Sequence, residues 1–192
     1  MARRRWKPQE RQINEDLEGS RPERQVDPER ARERTFQRAV KLLAAKPRSV
    51  EELRERLLEK AWTNEQVVDA VLKKLGEYGY LNDKQFAFGF ASFQVRQKPV
   101  GRGRLQRALA LKKVDRETAD EAIKQVFEET SEEELIERAI ERRTRLRGRP
   151  RDRAETRSLF DHLLRQGFSY DLVVRKVRAL SETSFDEETE NT

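Results

Sequence analysis

A chain of 192 residues with 41% charged and 35% hydrophobic residues is too poor in apolar side chains for a thick two-sided sheet, and suits helices that bury a single stripe. It has no cysteine, which excludes disulfides and thiolate chemistry. It also has no apolar stretch near the ~20 residues that cross a bilayer and no signal-peptide core, so a soluble, cytoplasmic protein is expected. Lys and Arg number 42 against 36 Asp and Glu, a net +6, yet residues 31–181 hold 34 basic and 24 acidic groups while 182–192 hold five acidic and none basic; a basic body with an acidic tail suggests a polyanionic or acidic partner, although a charged surface also keeps a small-cored helical protein soluble.

Residues 1–30 are polar, broken by Pro8, Pro22 and Pro28, and lack a sustained apolar period, so they read as a disordered N-terminal arm. Trp6, among Arg3, Arg4, Arg5 and Lys7, reads as an exposed aromatic, with stacking on a base or partner as the sharper alternative. Nine helices are predicted beyond the arm, in modules at 31–80, 81–129 and 130–181, ahead of the acidic tail 182–192. Phe36, Ala39, Val40 and Leu43 mark the first helix, which Pro47 closes. Ser49 with Glu52 predicts a capping box for the second, which turns Leu53, Leu57 and Leu58 inward. Thr63 is read as the cap of the third, with Val67, Val68, Val71 and Leu75 inward and Trp62 as a hydrophobic staple against Val67. The second module opens at Asn82 and Asp83 with the aromatic helix of Phe86, Phe88, Phe90 and Phe93, read as core rather than as stacking platforms. It continues through the turn 99–103 to Leu105 and Leu109, then to Ala119, Ala122, Ile123, Val126 and Phe127. The third opens at Ser131 with Glu134 as another capping box, breaks at Gly148 and Pro150, and resumes through Leu159, Leu163, Leu172, Val173 and Val177. No segment alternates with period two for long enough to make a strand.

The modules repeat one another. Leu53, Leu57, Lys60, Trp62, Thr63, Val67 and Val71 return 52 positions later as Leu105, Leu109, Lys112, Val114, Asp115, Ala119 and Ile123. They return 54 further on as Leu159, Leu163, Gln166, Phe168, Ser169, Val173 and Val177. Such a period implies stacked supersecondary units that bury their apolar faces partly on one another, rather than one enzyme core around a single pocket.

Catalytic groups are sparse. The only histidine, His162, lacks the further nitrogen or sulfur ligands of a metal site and reads as structural or superficial. Gly101 and Gly103 make a G-x-G, but Gln106 stands where a dinucleotide fingerprint needs its third glycine. No catalytic residue, metal or cofactor is expected. What remains is basic: Arg96, Lys98, Arg102, Arg104, Arg107, Lys112 and Lys113 around the middle helix of module two, and Arg142, Arg143, Arg145, Arg147, Arg149, Arg151, Arg153 and Arg157 around the matching turn of module three. Arginine forks suit phosphate or carboxylate; the alternative is a solvated face balanced by Glu141, Asp152 and Glu155.

The run from Arg48 to Ala87, with Ser49, Glu52, Leu53, Leu57, the Leu75–Tyr80 stretch, Leu81, Asp83 and Phe86, together with Gly101–Leu105, Leu109 and Lys112, resembles the RecX family of regulators of the RecA recombinase over about residues 34–180. Where that family usually carries lysine-glycine at the end of the middle helix, this chain has Lys60-Ala61 and Lys112-Lys113, and glycine is the residue that enters a left-handed helix terminus without strain. The resemblance implies an all-α, non-enzymatic protein of three tandem three-helix repeats in an elongated, curved arrangement. Its implied partners are RecA and the RecA filament on single-stranded DNA, and its implied effect is to suppress ATP hydrolysis, filament extension and strand exchange. A row of modules can also engage successive subunits of a polymer, gaining avidity through effective concentration, and a monomer without membrane contact is expected. The basic faces, Arg96, Lys98, Arg102, Arg104, Arg107, Lys112, Lys113, Arg142, Arg145, Arg149 and Arg153, are the candidate contacts with partner or DNA. A stand-alone helix-turn-helix-like DNA-binding protein and a helical adaptor are the alternatives. Replacing Trp62 or Phe168 by alanine is expected to cost about 3 kcal/mol in a thermal melt if each ring is buried as the repeat suggests.

Overall fold

The computed structural model describes residues 27–189, with side chains as far as Leu180; the arm residues 1–26, Trp6 among them, lie outside that range. The described residues form helices and no strand: α1 Pro28–Ala45, α2 Val50–Leu58, α3 Glu65–Glu77, α4 Asp83–Gln97, α5 Arg102–Leu111, α6 Arg116–Glu129, α7 Glu132–Arg147, α8 Arg153–Arg165 and α9 Tyr170–Thr189. The first helix begins at Pro28, slightly ahead of residue 31, because Asp27 accepts a hydrogen bond from the Glu29 amide at 3.1 Å and proline fits the first helical position. At the other end α9 carries on through Thr189, into the segment expected as an acidic tail.

Every extensive helix–helix contact falls within α1–α3, α4–α6 or α7–α9. The side chains group differently. Ala39, Leu53, Leu57, Val68, Val71, Leu72, Leu75 and Leu81 form one core, whereas the second and third triplets share another, continuous from Ala87 through Leu105, Leu109, Ile123, Leu135, Ile136, Leu159 and Leu163 to Val177. On α4 the buried stripe is Ala87, Ala91 and Val95 at i, i+4 and i+8, small residues that let α6 approach closely. Phe86, Phe88 and Phe90 flank that stripe half-buried, and Phe93 is exposed, so only part of the aromatic face is core.

Capping chemistry departs from the sequence reading at three places. The cap of α3 is Asn64, which accepts from the Val67 amide at 2.9 Å, while the Thr63 hydroxyl accepts from the hydroxyl of buried Thr35 at 3.1 Å. Ser49 accepts from the Glu52 amide, but Glu52 does not reach back; its carboxylate turns to Arg48 at 3.0 Å and Lys112 at 3.5 Å. Ser131 is the N-cap residue of α7 without a side-chain cap bond. The staple positions also diverge. Val114 and Phe168 are buried, whereas Trp62 is half-buried beside Leu42, Arg38 and Lys41 with the Lys60 ammonium 5.8 Å from its ring centre. The expected cost of alanine stands at about 3 kcal/mol for Phe168 and falls to about 1–2 kcal/mol for Trp62.

The middle helices of the second and third triplets end alike. The Val114 amide bonds back to the Leu109 carbonyl and the Phe168 amide to that of Leu163, each across a residue in the left-handed region, Lys113 at φ 59° and Gly167 at φ 90°. Lys113 is the only non-glycine residue among those described with positive φ, and Ala61 in the first triplet avoids that conformation.

These helix ends join the triplets. The amides of Gly101 and Gly103, at the start of α5, donate to the carbonyls of Gln166 and Gly167, both at 3.0 Å. In the preceding repeat Ser49 occupies the position of Gly101, and its hydroxyl donates to the carbonyl of Lys112, the counterpart of Gln166. Asp83 adds a bond to the Val50 amide at 2.9 Å, and Lys113 pairs with Glu55 across the same seam. The second seam has no room for side chains: a Cβ on Gly167 would lie 2.2 Å from the Arg104 nitrogen, and one on Gly101 would lie 2.4 Å from the Gly167 oxygen.

Gly167→Ala should therefore cost about 3 kcal/mol or more, since backbone must move and a left-handed alanine is strained. Lys113→Gly should stabilise by up to about 1 kcal/mol, because the left-handed strain it removes outweighs the exposed Glu55 pair lost with the side chain. Chemical denaturation of both variants checks this pair, and a neutral Gly167→Ala or a destabilised Lys113→Gly would overturn the placement of these two turns.

Candidate partner-binding surface

The basic residues singled out from sequence divide into two populations. Four of them hold the repeats together. The Arg102 guanidinium lies 3.1 Å from Glu132 and 4.4 Å from the ring centre of Phe127, pinning the start of α5 to the start of α7. Arg104 donates to the Gln166 side chain at 3.0 Å, Lys112 lies 3.5 Å from Glu52, and Lys113 pairs with Glu55. In each case the partner belongs to a different helix triplet or follows a repeat boundary, so these charges act within the chain.

The second population points outward. Arg96 lies in the last turn of α4, Lys98 is the C-cap of that helix, and Arg107 lies on α5; all three are exposed. Arg142 and Arg145 on α7, Arg149 in the turn after it and Arg153 at the start of α8 are exposed as well. At the far end Glu155, the counterpart of Ser49 and Gly101, accepts from the Arg151 amide at 2.8 Å while its own amide bonds to Asp152 at 2.7 Å. This reciprocal cap satisfies the start of α8 within its own module.

Between α7, α8 and the end of α4 lies a cleft of about 230 Å³ lined by Lys98, Pro99, Arg142, Arg143, Arg147, His162 and Gln166, together with Ala139 and Leu146. No carboxylate lines it. Arg143 crosses the wall to bond the Ser158 hydroxyl at 2.9 Å. Burial pushes the Arg143 guanidinium below its usual range, and Arg147 and Arg165 push it the same way. His162 is likewise held below the ordinary imidazole range, first by desolvation and then by Arg143, Arg165, Arg147 and Arg104. Asp161, its chain neighbour, pairs with Arg157 at 3.4 Å on the exposed side. Sequence reasoning set His162 aside because it has no ligand partners nearby in the chain; the convergence of α5, α7 and α8 on it is tertiary.

Among the described residues no group of three or more His, Cys, Asp or Glu side chains is gathered for a metal ion, and no helix is long and apolar enough to cross a membrane.

Residues 36–75 match the model of the first three-helix domain of RecX, and residues 82–123 match that of the second. The chain belongs to the RecX family. It is similar to the regulatory protein RecX of Bacillus velezensis, with 32% identity over 82% of this chain and 58% of that protein, and to that of Bacillus subtilis, with 30% identity over 81% and 58%. The chain thus spans little more than half the length of these curated relatives. Among solved structures, the crystal structure of RecX from Lactobacillus salivarius superposes with a TM-score of 0.71 at 19% identity, covering 80% of this chain and 98% of that one. A second, the crystal structure of a regulatory protein RecX, gives 0.66 at 21% identity, covering 76% and 70%. Both carry the helical repeat fold seen here.

Because the depressed His162 makes the unfolded chain bind a proton more readily than the folded one, stability should fall as pH drops through the ordinary imidazole range near 6.5. Thermal melts between about pH 7.5 and 5.5 should show this loss, and His162→Gln should flatten it. An identical slope in the two proteins would contradict the placement of the imidazole among four guanidinium groups.

Proposed function

We propose that this protein is a non-enzymatic regulator of the RecA recombinase, binding RecA and its filament on single-stranded DNA as a cytoplasmic monomer. In this reading it restrains ATP hydrolysis, filament extension and strand exchange during recombinational repair. Membership of the RecX family, with matches to its first and second three-helix domains, is the observation that carries the reading. The architecture suits it on physical grounds. Triplets joined through repeated seams present outward charges on successive modules, Arg96, Lys98 and Arg107 on one and Arg142, Arg145, Arg149 and Arg153 on the next. Contacts on two modules against successive subunits of a polymer multiply through effective concentration without any strong single contact.

Adding the protein to RecA on single-stranded DNA should lower steady-state ATP turnover. Arg107→Glu with Arg145→Glu removes outward charge while sparing the seam residues, so the concentration needed for half-inhibition should rise about tenfold, equivalent to about 1.4 kcal/mol, with an unchanged melting temperature. Full ATP turnover at stoichiometric excess of the unaltered protein would contradict the reading. Unchanged potency of the double variant would remove these arginines from the contact.

A further inference from the structure

We propose that the groove between α1 and Trp62 holds an acidic segment of this same chain, residues 13–18, which turns back along α1 and caps the open end of the repeat row.

Among the described residues the end of α2 lacks the neighbour that the ends of α5 and α8 have. The carbonyls of Lys112 and Gln166 accept from Ser49 and Gly101 of an adjoining repeat, whereas that of their counterpart Lys60 accepts from Thr63 in its own turn. The next apolar position shows the same difference, since Val114 and Phe168 are buried and Trp62 is half-buried. A terminal unit of a repeat array needs a cover for the face that a neighbour would otherwise bury.

Beside Trp62 lies a hollow of about 420 Å³ walled by Arg34, Arg38 and Lys41, which share one face of α1 at i, i+4 and i+7, together with Leu42. No carboxylate lines it, and among the described residues none of the three cations has an ion pair. Glu33, the adjoining acid on α1, accepts from Gln37 at 2.7 Å. Two donors of the hollow, Nε1 of Trp62 and Nε of Arg38, are shielded from solvent and have no acceptor among the described residues. Such donors call for an acceptor, because a buried N–H without one loses its hydration uncompensated. The groove therefore fits a segment that brings carboxylates to the α1 cations and aliphatic side chains to the indole.

Residues 13–18, which precede the described residues, bring both. They carry Glu15, Asp16 and Glu18 with no basic residue among them, and Ile13 and Leu17 stand four positions apart. The intervening residues 19–27 can span up to about 30 Å, and Arg34 to Leu42 lie only about 9 to 21 Å along α1 from Pro28. A tether of that length holds the segment at an effective concentration of roughly millimolar, so contacts of modest strength suffice to seat it. Two rival occupants fit less well. A second copy would offer the start of its α8, the opposite end of the row, where Asp152 and Glu155 are taken up in their own cap and Arg151 and Arg153 would meet the α1 cations. The acidic C-terminal segment continues α9, which packs on α7 and α8 in the third triplet.

The chain has two tryptophans, so Trp6→Phe leaves Trp62 as the sole indole, placed at the groove itself. Its emission and its quenching by acrylamide are measured in this full chain at low salt, and again after adding Glu15→Gln, Asp16→Asn and Glu18→Gln. Loss of the three acids should move the emission to longer wavelength and raise the quenching constant. Salt at about 1 M should do the same to the unaltered arm and change the acid-free one little. Charge reversal by Glu15→Arg with Asp16→Arg should also uncover the indole, and adding Arg34→Glu with Lys41→Glu should cover it again. Both of these α1 positions are exposed and make no ion pair among the described residues, so the exchange spares the core. Equal quenching with and without the acids at low salt overturns the contact. Failure of the double reversal to restore protection overturns the α1 cations as its seat. Protection that falls as the protein is diluted overturns the chain's own segment as occupant in favour of a second copy. The experiment contains no RecA, so its failure leaves the regulatory reading to its own assay.

Discussion

The arrangement of the chain depends on two helix ends answering each other across a repeat boundary. An α-helix leaves amides unpaired at its start and carbonyls unpaired at its finish. In this protein the middle helix of one repeat begins where the middle helix of the next repeat ends, so that each supplies what the other lacks. At the second seam the answer is backbone to backbone, with Gly101 and Gly103 on Gln166 and Gly167. Absence of a Cβ at 101 and 167 is a steric requirement there, and the closeness it permits merges two helix triplets into one continuous core. At the first seam a serine hydroxyl replaces the amide, ion pairs fill the wider gap, and the first triplet keeps a core of its own. One repeated geometry thus yields a close joint and a looser one. At Glu155, the third residue at this register, the carboxylate caps its own helix by accepting from the Arg151 amide.

That division explains how charge is used. Arg102, Arg104, Lys112 and Lys113 serve the seams, where partially screened ion pairs contribute modestly each but act together with the backbone bonds. Burial in the first seam raises the Asp83 carboxyl above the usual carboxylate range despite its bond to the Val50 amide, with Asp115 and Glu51 adding repulsion. Outward charge is left to Arg96, Lys98 and Arg107 and to the α7–α8 region. The separation matters for the proposed regulatory reading, because neutralising a seam would loosen the spacing between the outward surfaces of successive modules.

Periodic features were legible in the sequence. Leu53, Leu105 and Leu159, and Leu57, Leu109 and Leu163, are all buried at the same place in their triplets, because an apolar residue repeated at helical spacing has few places to go. What sequence could not resolve was competition for single polar groups. Thr63 and Asn64 are both competent caps; Asn64 takes the role, and the Thr63 hydroxyl instead accepts from Thr35, 28 residues away. The Lys112-Lys113 ending lacked the glycine that announces a left-handed terminus, yet Lys113 adopts one, held by the Glu55 pair and by the backbone bond from Val114 to Leu109. The site was half visible for the same reason. The basic residues are countable in the chain, but which of them meet a carboxylate depends on seams formed by residues some sixty positions apart, as for Lys112 and Glu52.

The most direct test of the seam is native-state hydrogen exchange at the amides of Gly101 and Gly103. Both lie at the start of a helix, where amides ordinarily exchange freely, so protection there can come only from the carbonyls of Gln166 and Gly167. Exchange as slow as that of the Leu105 and Leu109 amides in the shared core is the result expected of one joined unit. Exchange at the rate of an exposed turn, with those core amides still protected, would mean that the second and third repeats are not locked together.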